Sequence, residues 1–224
     1  MVGRKLGDLD WQSVYSSNAL IVKRTDLVNA ASAFKQHTGL FSPFVDGMRQ
    51  KKIAAAVRPG ENILDVGCGP GLLIAYLPEQ CRYTGIDSNR DTVEFNSKNF
   101  SQHKFYCANV LIDALPISEP KFDVVVLGAM LEHVDEKTLL LKKVREVLKP
   151  SGRILATTPS RIGGFVHELL ARLALLSHEA AEEHKGFLNS KDICALSESA
   201  ALNVQHYETF QCGLNQFFIL TPRQ

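Results

Sequence analysis

The sequence predicts an α/β protein: a seven-stranded, mostly parallel sheet with helices on both faces. Three observations predict it. Strand-like apolar runs alternate with helix-like runs between Asn62 and Pro159, the pattern of parallel strands joined by crossover helices. The run FDVVVLGAM (122–130) is apolar without alternation, as a central strand buried on both faces must be. At the end of the chain, LNVQHYETF and NQFFIL are separated by a few residues that include Gly213. That spacing is a hairpin, so the last strand runs antiparallel to its neighbour.

The elements follow in order. Phe41, Phe44, Val45, Met48 and Ala55 fall at helical spacing, and Pro59-Gly60 ends that run. NILDVG reads as a buried strand. PGLLIAYLP reads as a helix, with Pro70 tolerated in its first turn and Pro78 closing it. CRYTGID reads as the second strand, with Ser88 as N-cap of the next helix, and KFYCANV as the third. After the fourth strand, Leu140, Leu141, Val144, Val147 and Leu148 define one helical face, which KPSG terminates. RILATTP reads as the fifth strand, GGFVHELLARLALL and SKDICALSESA as further helices.

Bulk properties narrow the function classes. The chain has 224 residues, 45% of them hydrophobic, a formal charge of +1 and a pI near 7.7. That suffices for one well-buried core and, with no block of Lys and Arg, argues against a nucleic-acid partner. The N-terminus lacks the apolar core of a signal peptide, and no apolar run is long enough to span a bilayer. The five cysteines are scattered without C-x-x-C spacing and read as reduced thiols of a cytoplasmic protein, most of them small core residues.

The stretch ILDVGCGPG (63–71) carries the chemistry. A strand followed at once by a glycine turn and a helix makes a pocket above the sheet's C-terminal edge. Gly67, Gly69 and Gly71 let the backbone turn sharply and let a ligand approach, while the helix beginning near Pro70 aims its free N–H groups at that ligand. Asp87, about twenty residues on, stands where an acid hydrogen-bonds a ribose diol. Asp65 brings a negative charge to the same place. Beside a pyrophosphate it would repel; beside an ammonium or sulfonium it attracts, by roughly 1–4 kcal/mol at contact. The ligand is therefore expected to be a cationic nucleoside.

ILDVGCGPG, YTGIDSN, FDVVVLGAMLEHV and VLKPSGRILATTP, in that order, resemble the class I S-adenosylmethionine-dependent methyltransferases over about residues 44–160. MLEHV and LKPSG are most similar to small-molecule methyltransferases, including the ubiquinone-biosynthesis O-methyltransferases. The resemblance implies a Rossmann-like sheet with the reversed strand near its end. It implies a single methyltransferase domain over 1–224: an N-terminal helical cap (1–43), a cofactor-binding core (44–160), a substrate cap (160–190), and a helix with the closing hairpin (191–224). By motif, Asp65, Gly67 and Gly69 border the methionine part of the cofactor, with Cys68 and Gly71 in the same loop. Asp87 binds the ribose hydroxyls and Ser88 lies beside the adenine. Asn109 occupies the place of the family's adenine-binding acid, its amide carbonyl able to accept from the amine, and Val110 packs on the ring. Gly128 and Ala129 face the cofactor, and Arg49 either pairs with the methionine carboxylate or is solvated.

Methyl transfer from a sulfonium mainly requires alignment in a water-poor pocket, with a general base when the acceptor is a phenol or alcohol. Glu132 and His133 are the catalytic candidates, with His133 either that base or a brace for its loop. Similar quinone-pathway enzymes can use a divalent metal and have an acid three residues before the Glu-His pair. Ala129 stands there, so no metal is expected. His184 either contacts the acceptor or is an exposed loop residue. Phe165, Leu169, Leu173 and Leu176 line one side of a segment read as a substrate cap in preference to a membrane-surface helix. The expected function is methyl transfer to a small, apolar or aromatic acceptor, at oxygen. The alternatives are a nicotinamide-dependent oxidoreductase and a non-catalytic S-adenosylmethionine-binding regulator.

Overall fold

The computed structural model describes residues 42–114, 122–164 and 187–223. Helix α1 (Ser42–Ala54) leads into strand β1 (Asn62–Val66), followed by β2 (Arg82–Asp87), α2 (Arg90–Asn99), β3 (Lys104–Cys107) and β4 (Phe122–Gly128). Then come α3 (Lys137–Glu146), β5 (Leu148–Pro159), α4 (Ser190–Ser199), β6 (Leu202–Phe210) and β7 (Asn215–Pro222). The strands form one seven-stranded sheet in the order β3-β2-β1-β4-β5-β7-β6. Strands β1 to β5 pair in parallel, whereas β7 inserts antiparallel between β5 and β6. β4 lies at the centre, as its unbroken apolar run requires.

Two cores flank the sheet. Val124 and Val126 face one side with Ile53 of α1, Ile63 and Phe217. Val125 and Leu127 face the other with Leu140, Leu141 and Val144 of α3 and Ile193 of α4. Leu127 is fully buried, so Leu127→Ala should lower unfolding free energy by about 2–5 kcal/mol in urea melts, through lost transfer energy and a residual cavity.

Several expected boundaries move. The segment after the glycine loop is a five-residue 3-10 turn, Leu72–Tyr76, not an α-helix. Pro70 and Pro78 bracket too short a stretch for hydrogen-bonded α turns to propagate. Asn89, not Ser88, caps α2: its side chain accepts from Thr92 N at 3.2 Å. β3 ends at Cys107. α3 ends at Glu146, so Val147 and Leu148 are outside it. The residues KPSG do not separate helix from strand; they bulge from β5, where pairing jumps from Phe122–Leu148 to Val124–Arg153. α1 stops at Ala54, before Pro59, and buries Ile53 and Ala54 while Ala55 is exposed. All five cysteines are free, but only Cys68 is buried; Cys107, Cys194 and Cys212 are exposed, so most are not core residues. Of the expected N-terminal cap (1–43), residues 1–41 lie outside the described residues and the last two open α1; His184 and the cap segment from Phe165 also lie outside them. Among the described residues, no helix is long and apolar enough to cross a membrane.

Candidate cofactor and active site

The strand order reverses direction between β1 and β4, and the C-terminal ends of β1, β2, β3 and β4 open onto one crevice at that switch point. The glycine loop forms its floor. Gly67, Gly69 and Gly71 have φ of 73°, 49° and 73°, in the left-handed region. At Gly67 a side chain is disfavoured on two counts, because a Cβ would also lie 2.8 Å from Met130 Sδ, which would have to shift. Gly67 N and Cys68 N both donate to Ile86 O, at 2.8 and 3.1 Å, turning the loop back over β2. The short 3-10 turn that follows gives the site no α-helical N-terminus, so the expected row of helix N–H donors is replaced by the loop itself.

Asp87 holds that loop. Its Oδ2 accepts from Gly69 N and its Oδ1 from Asn89 N, each at 2.9 Å. Asn96 of α2, fully buried, donates from Nδ2 to Gly69 O at 2.7 Å and to Cys68 Sγ at 3.8 Å. Sequence reasoning missed Asn96, since an Asn inside a helix carries no motif. Cys68 is packed against β2 and its thiol is pushed strongly up by burial, then by the charges of Asp65 and Asp87, so it is neutral.

Asp65 is only 5% exposed and accepts a 2.7 Å hydrogen bond from Tyr83 Oη, itself buried. Burial pushes its carboxyl from the ordinary 3.8 up to about 7; Tyr83 opposes this and the charge of Asp87 adds to it. A carboxyl so desolvated is ionised easily only when a cation reaches it. Tyr83 was also missed, because on β2 it reads as one more apolar strand residue.

The expected adenine-side residues lie at the ends of β2 and β3. Asn109 Oδ1 accepts from Leu111 N at 3.0 Å, closing a turn, while Asn109 N donates to Asp113 Oδ2 at 2.7 Å. The Asn109 carbonyl thus has one lone pair engaged and one left. Val110 is 3% exposed and packs in the core beneath the crevice, not as a free wall of it. Ser88 is exposed beside Asp87.

On the β4 side, Gly128 ends the strand and Ala129 has φ 55°, its N–H held by Thr157 O at 3.0 Å. Met130 follows, pressed against Gly67, and then a 3-10 turn, Leu131–His133. Glu132 is buried, and burial raises its pKa against the opposing charge of Arg49 and the nearby Thr158 hydroxyl. Arg49 is not solvated but half-buried, with Nη1 paired to Asp46 at 3.1 Å. Among the described residues, Arg49 Nε and Glu132 Oε2 are buried without a hydrogen-bond partner. His133 follows Glu132 on the same turn. No group of three His, Cys, Asp or Glu able to hold a metal ion occurs among the described residues.

A reversed strand next to the sheet edge, a glycine crevice at the switch point and a buried acid suited to a cation define a nucleoside-dependent group-transfer fold. A family model described as a methyltransferase domain matches residues 46–207, and the chain belongs to that family. It is similar to the ubiquinone biosynthesis O-methyltransferase of Idiomarina loihiensis, with 28% identity over 64% of this chain and 62% of that protein. The match thus spans about three fifths of that relative's length. The demethylmenaquinone methyltransferase of Bacillus licheniformis is 26% identical over 91% of this chain and 94% of its own. A TehB-like SAM-dependent methyltransferase from Corynebacterium glutamicum superposes with a TM-score of 0.59 at 17% identity, over 78% of this chain and 88% of that one. The fold is that of the class I S-adenosylmethionine-dependent methyltransferases, not of a nicotinamide-dependent dehydrogenase.

Proposed function

We propose that this chain transfers a methyl group from S-adenosylmethionine to an oxygen of a small, apolar or aromatic acceptor. The observation that carries the reading is the buried Asp65 carboxyl behind the glycine loop, desolvated and held by one neutral donor. The family's cofactor brings the matching charge, since its methyl group is activated as a sulfonium beside an ammonium. The residues fit it. Gly69, where a side chain would meet open space, leaves room for its close approach, Gly67, Cys68 and Gly71 shape the loop around it, Asp65 faces the cationic methionine part, and Asp87 keeps lone pairs for the ribose diol. Ser88 and the second lone pair of the Asn109 carbonyl border the base, Val110 supports it from the core below, and Gly128 and Ala129 close the crevice from β4.

Glu132 and His133 belong to the acceptor side of this reading. A carboxylate with a raised pKa and an unpartnered oxygen is suited to taking a hydroxyl proton as the acceptor attacks. Arg49, between Asp46 and Glu132, orients that carboxylate instead of binding the cofactor. The donor set does not suit the divalent site of similar quinone-pathway enzymes, because Ala129 offers no oxygen. We assign acceptor selection to residues 1–43 and 160–190, His184 included, and cofactor binding to 44–160. The free thiols support a reducing, cytoplasmic setting. The names of the Idiomarina and Bacillus relatives concern quinones, which supports an aromatic acceptor.

The test is transfer of label from methyl-tritiated S-adenosylmethionine to a panel of catechols, hydroxyquinols and carboxylic acids. Labelled phenolic ether is the expected product, and Glu132→Gln should lower its kcat by about 10²–10⁴-fold. Uptake of S-adenosylhomocysteine without transfer to any of the panel or to a cell extract would favour the regulator.

A further inference from the structure

Gly69 is held by side chains at both of its polar atoms. Its N–H goes to Asp87 Oδ2 at 2.9 Å and its carbonyl accepts from Asn96 Nδ2 at 2.7 Å. Asp87 is a residue the sequence marks; Asn96 is not. Asn96 is 0% exposed, yet its Oδ1 finds no hydrogen-bond partner among the described residues. A fully buried, half-satisfied amide is costly, and an apolar residue of similar size would serve a helix face better if packing were the only demand. Its donor end, by contrast, is fully used: one N–H to Gly69 O, the other to Cys68 Sγ. The same side chain also bounds the next glycine, since a Cβ at Gly71 would lie 3.4 Å from Asn96 Oδ1.

The two clamps are linked through one helix. Asp87 Oδ1 accepts from Asn89 N, Asn89 caps α2 by accepting from Thr92 N, and α2 carries Asn96 back to the loop. Asp87, Asn89, α2 and Asn96 thus form a closed circuit around Gly69, whose φ of 49° is left-handed. A glycine has the widest choice of conformations of any residue, so a loop of three glycines needs an external restraint to keep one shape.

We propose that Asn96 is a positioning residue for cofactor binding: its side-chain amide holds the Gly69 carbonyl so that the glycine loop keeps its ligand-ready shape before the cofactor arrives. The inference rests on the cofactor reading given above. Asn96 touches neither cofactor nor acceptor; it acts through the loop.

The test compares wild type with Asn96→Asp, which keeps the shape and removes the donors, and Asn96→Leu, which also removes the unsatisfied oxygen. Calorimetry with S-adenosylhomocysteine should give a Kd raised at least about tenfold in both variants. The KM for S-adenosylmethionine should rise in parallel, while kcat at saturating cofactor stays within about twofold. That split is not expected of a residue that merely stabilises the fold. A folded variant with wild-type Kd overturns the role of Asn96, and equal losses in kcat and kcat/KM do the same. Should neither variant fold, nuclear magnetic resonance of the wild-type protein decides. Exchange of the Asn96 side-chain amide protons slowed at least about a hundredfold against free asparagine, and slowed further by S-adenosylhomocysteine, supports the clamp; free exchange overturns it. Wild-type protein that takes up no S-adenosylhomocysteine at all sinks the cofactor reading, and this inference with it.

Discussion

Affinity for S-adenosylmethionine is expected to climb with pH, by about tenfold between pH 6 and pH 8, and to do so through Asp65. The carboxyl of the empty protein titrates at about 7, raised by burial. A cation placed beside it favours the ionised form, so the complex binds fewer protons than the empty site. Below pH 7 each unit of acid therefore costs up to a factor of ten in affinity, until the pKa of the complex is reached. Asp65→Asn should flatten the profile and weaken binding at pH 8. Calorimetry across that range, in buffers of differing ionisation enthalpy, would also count the released proton. The same group acts on stability with the opposite sign. An acid with a raised folded pKa lets the unfolded chain lose its proton first. Stability of the empty protein thus falls as pH rises from the ordinary 3.8 towards about 7, and is lowest above it. Asp65→Asn should accordingly raise the melting temperature of the ligand-free protein at pH 8 while harming its function.

The second large effect belongs to Asp87. Asp87→Ala removes the acceptor of Gly69 N and of Asn89 N together with the proposed partner of the ribose hydroxyls. Hydrogen bonds to a charged group are worth about 1.5–3 kcal/mol each, so losing two that bear on the cofactor predicts an affinity reduced by roughly 10²–10⁴-fold. Asp87→Asn tests the division of labour. It keeps one acceptor oxygen and should recover part of the loop but less of the ribose contact. Equilibrium binding of S-adenosylhomocysteine and of adenosine, which shares the ribose and lacks the amino acid, would separate the two. An Asp87→Ala protein that binds both like wild type would remove Asp87 from the site.

The sheet was legible because its strands are buried on both faces, which leaves apolar runs such as VVVL that little else can explain. The glycine loop was legible because left-handed backbone at three alternate positions, with Met130 packed close to Gly67, strongly favours glycine there. What failed were features decided by tertiary contacts. The apolar stretch Leu72–Tyr76 has the composition of a helix, but left-handed Gly71 before it and extended Leu77, held so by Pro78, confine it to a 3-10 turn. Ser88 and Asn89 are equally good caps on paper, and the choice follows from Asp87 drawing in Asn89 N. The turn that Asn109 closes through Leu111 N was likewise unreadable, because it is set by the local backbone path. Arg49 reads as a lone cation, whereas the fold sets it between Asp46 and Glu132. Tyr83 and Asn96 left no trace because their roles depend on partners eighteen and twenty-seven residues away.

The placement of β7 between β5 and β6 has a bearing on how the chain is made. A polypeptide emerges N-terminus first, so β5, with Ile154, Leu155 and Ala156 fully buried in the finished protein, spends part of its biosynthesis with one flank bare. Only when residues 215–222 arrive is that flank covered. A nascent or truncated product ending before Asn215 thus presents a long apolar border ready to recruit other chains, and its characteristic failure is precipitation in preference to loss of catalysis.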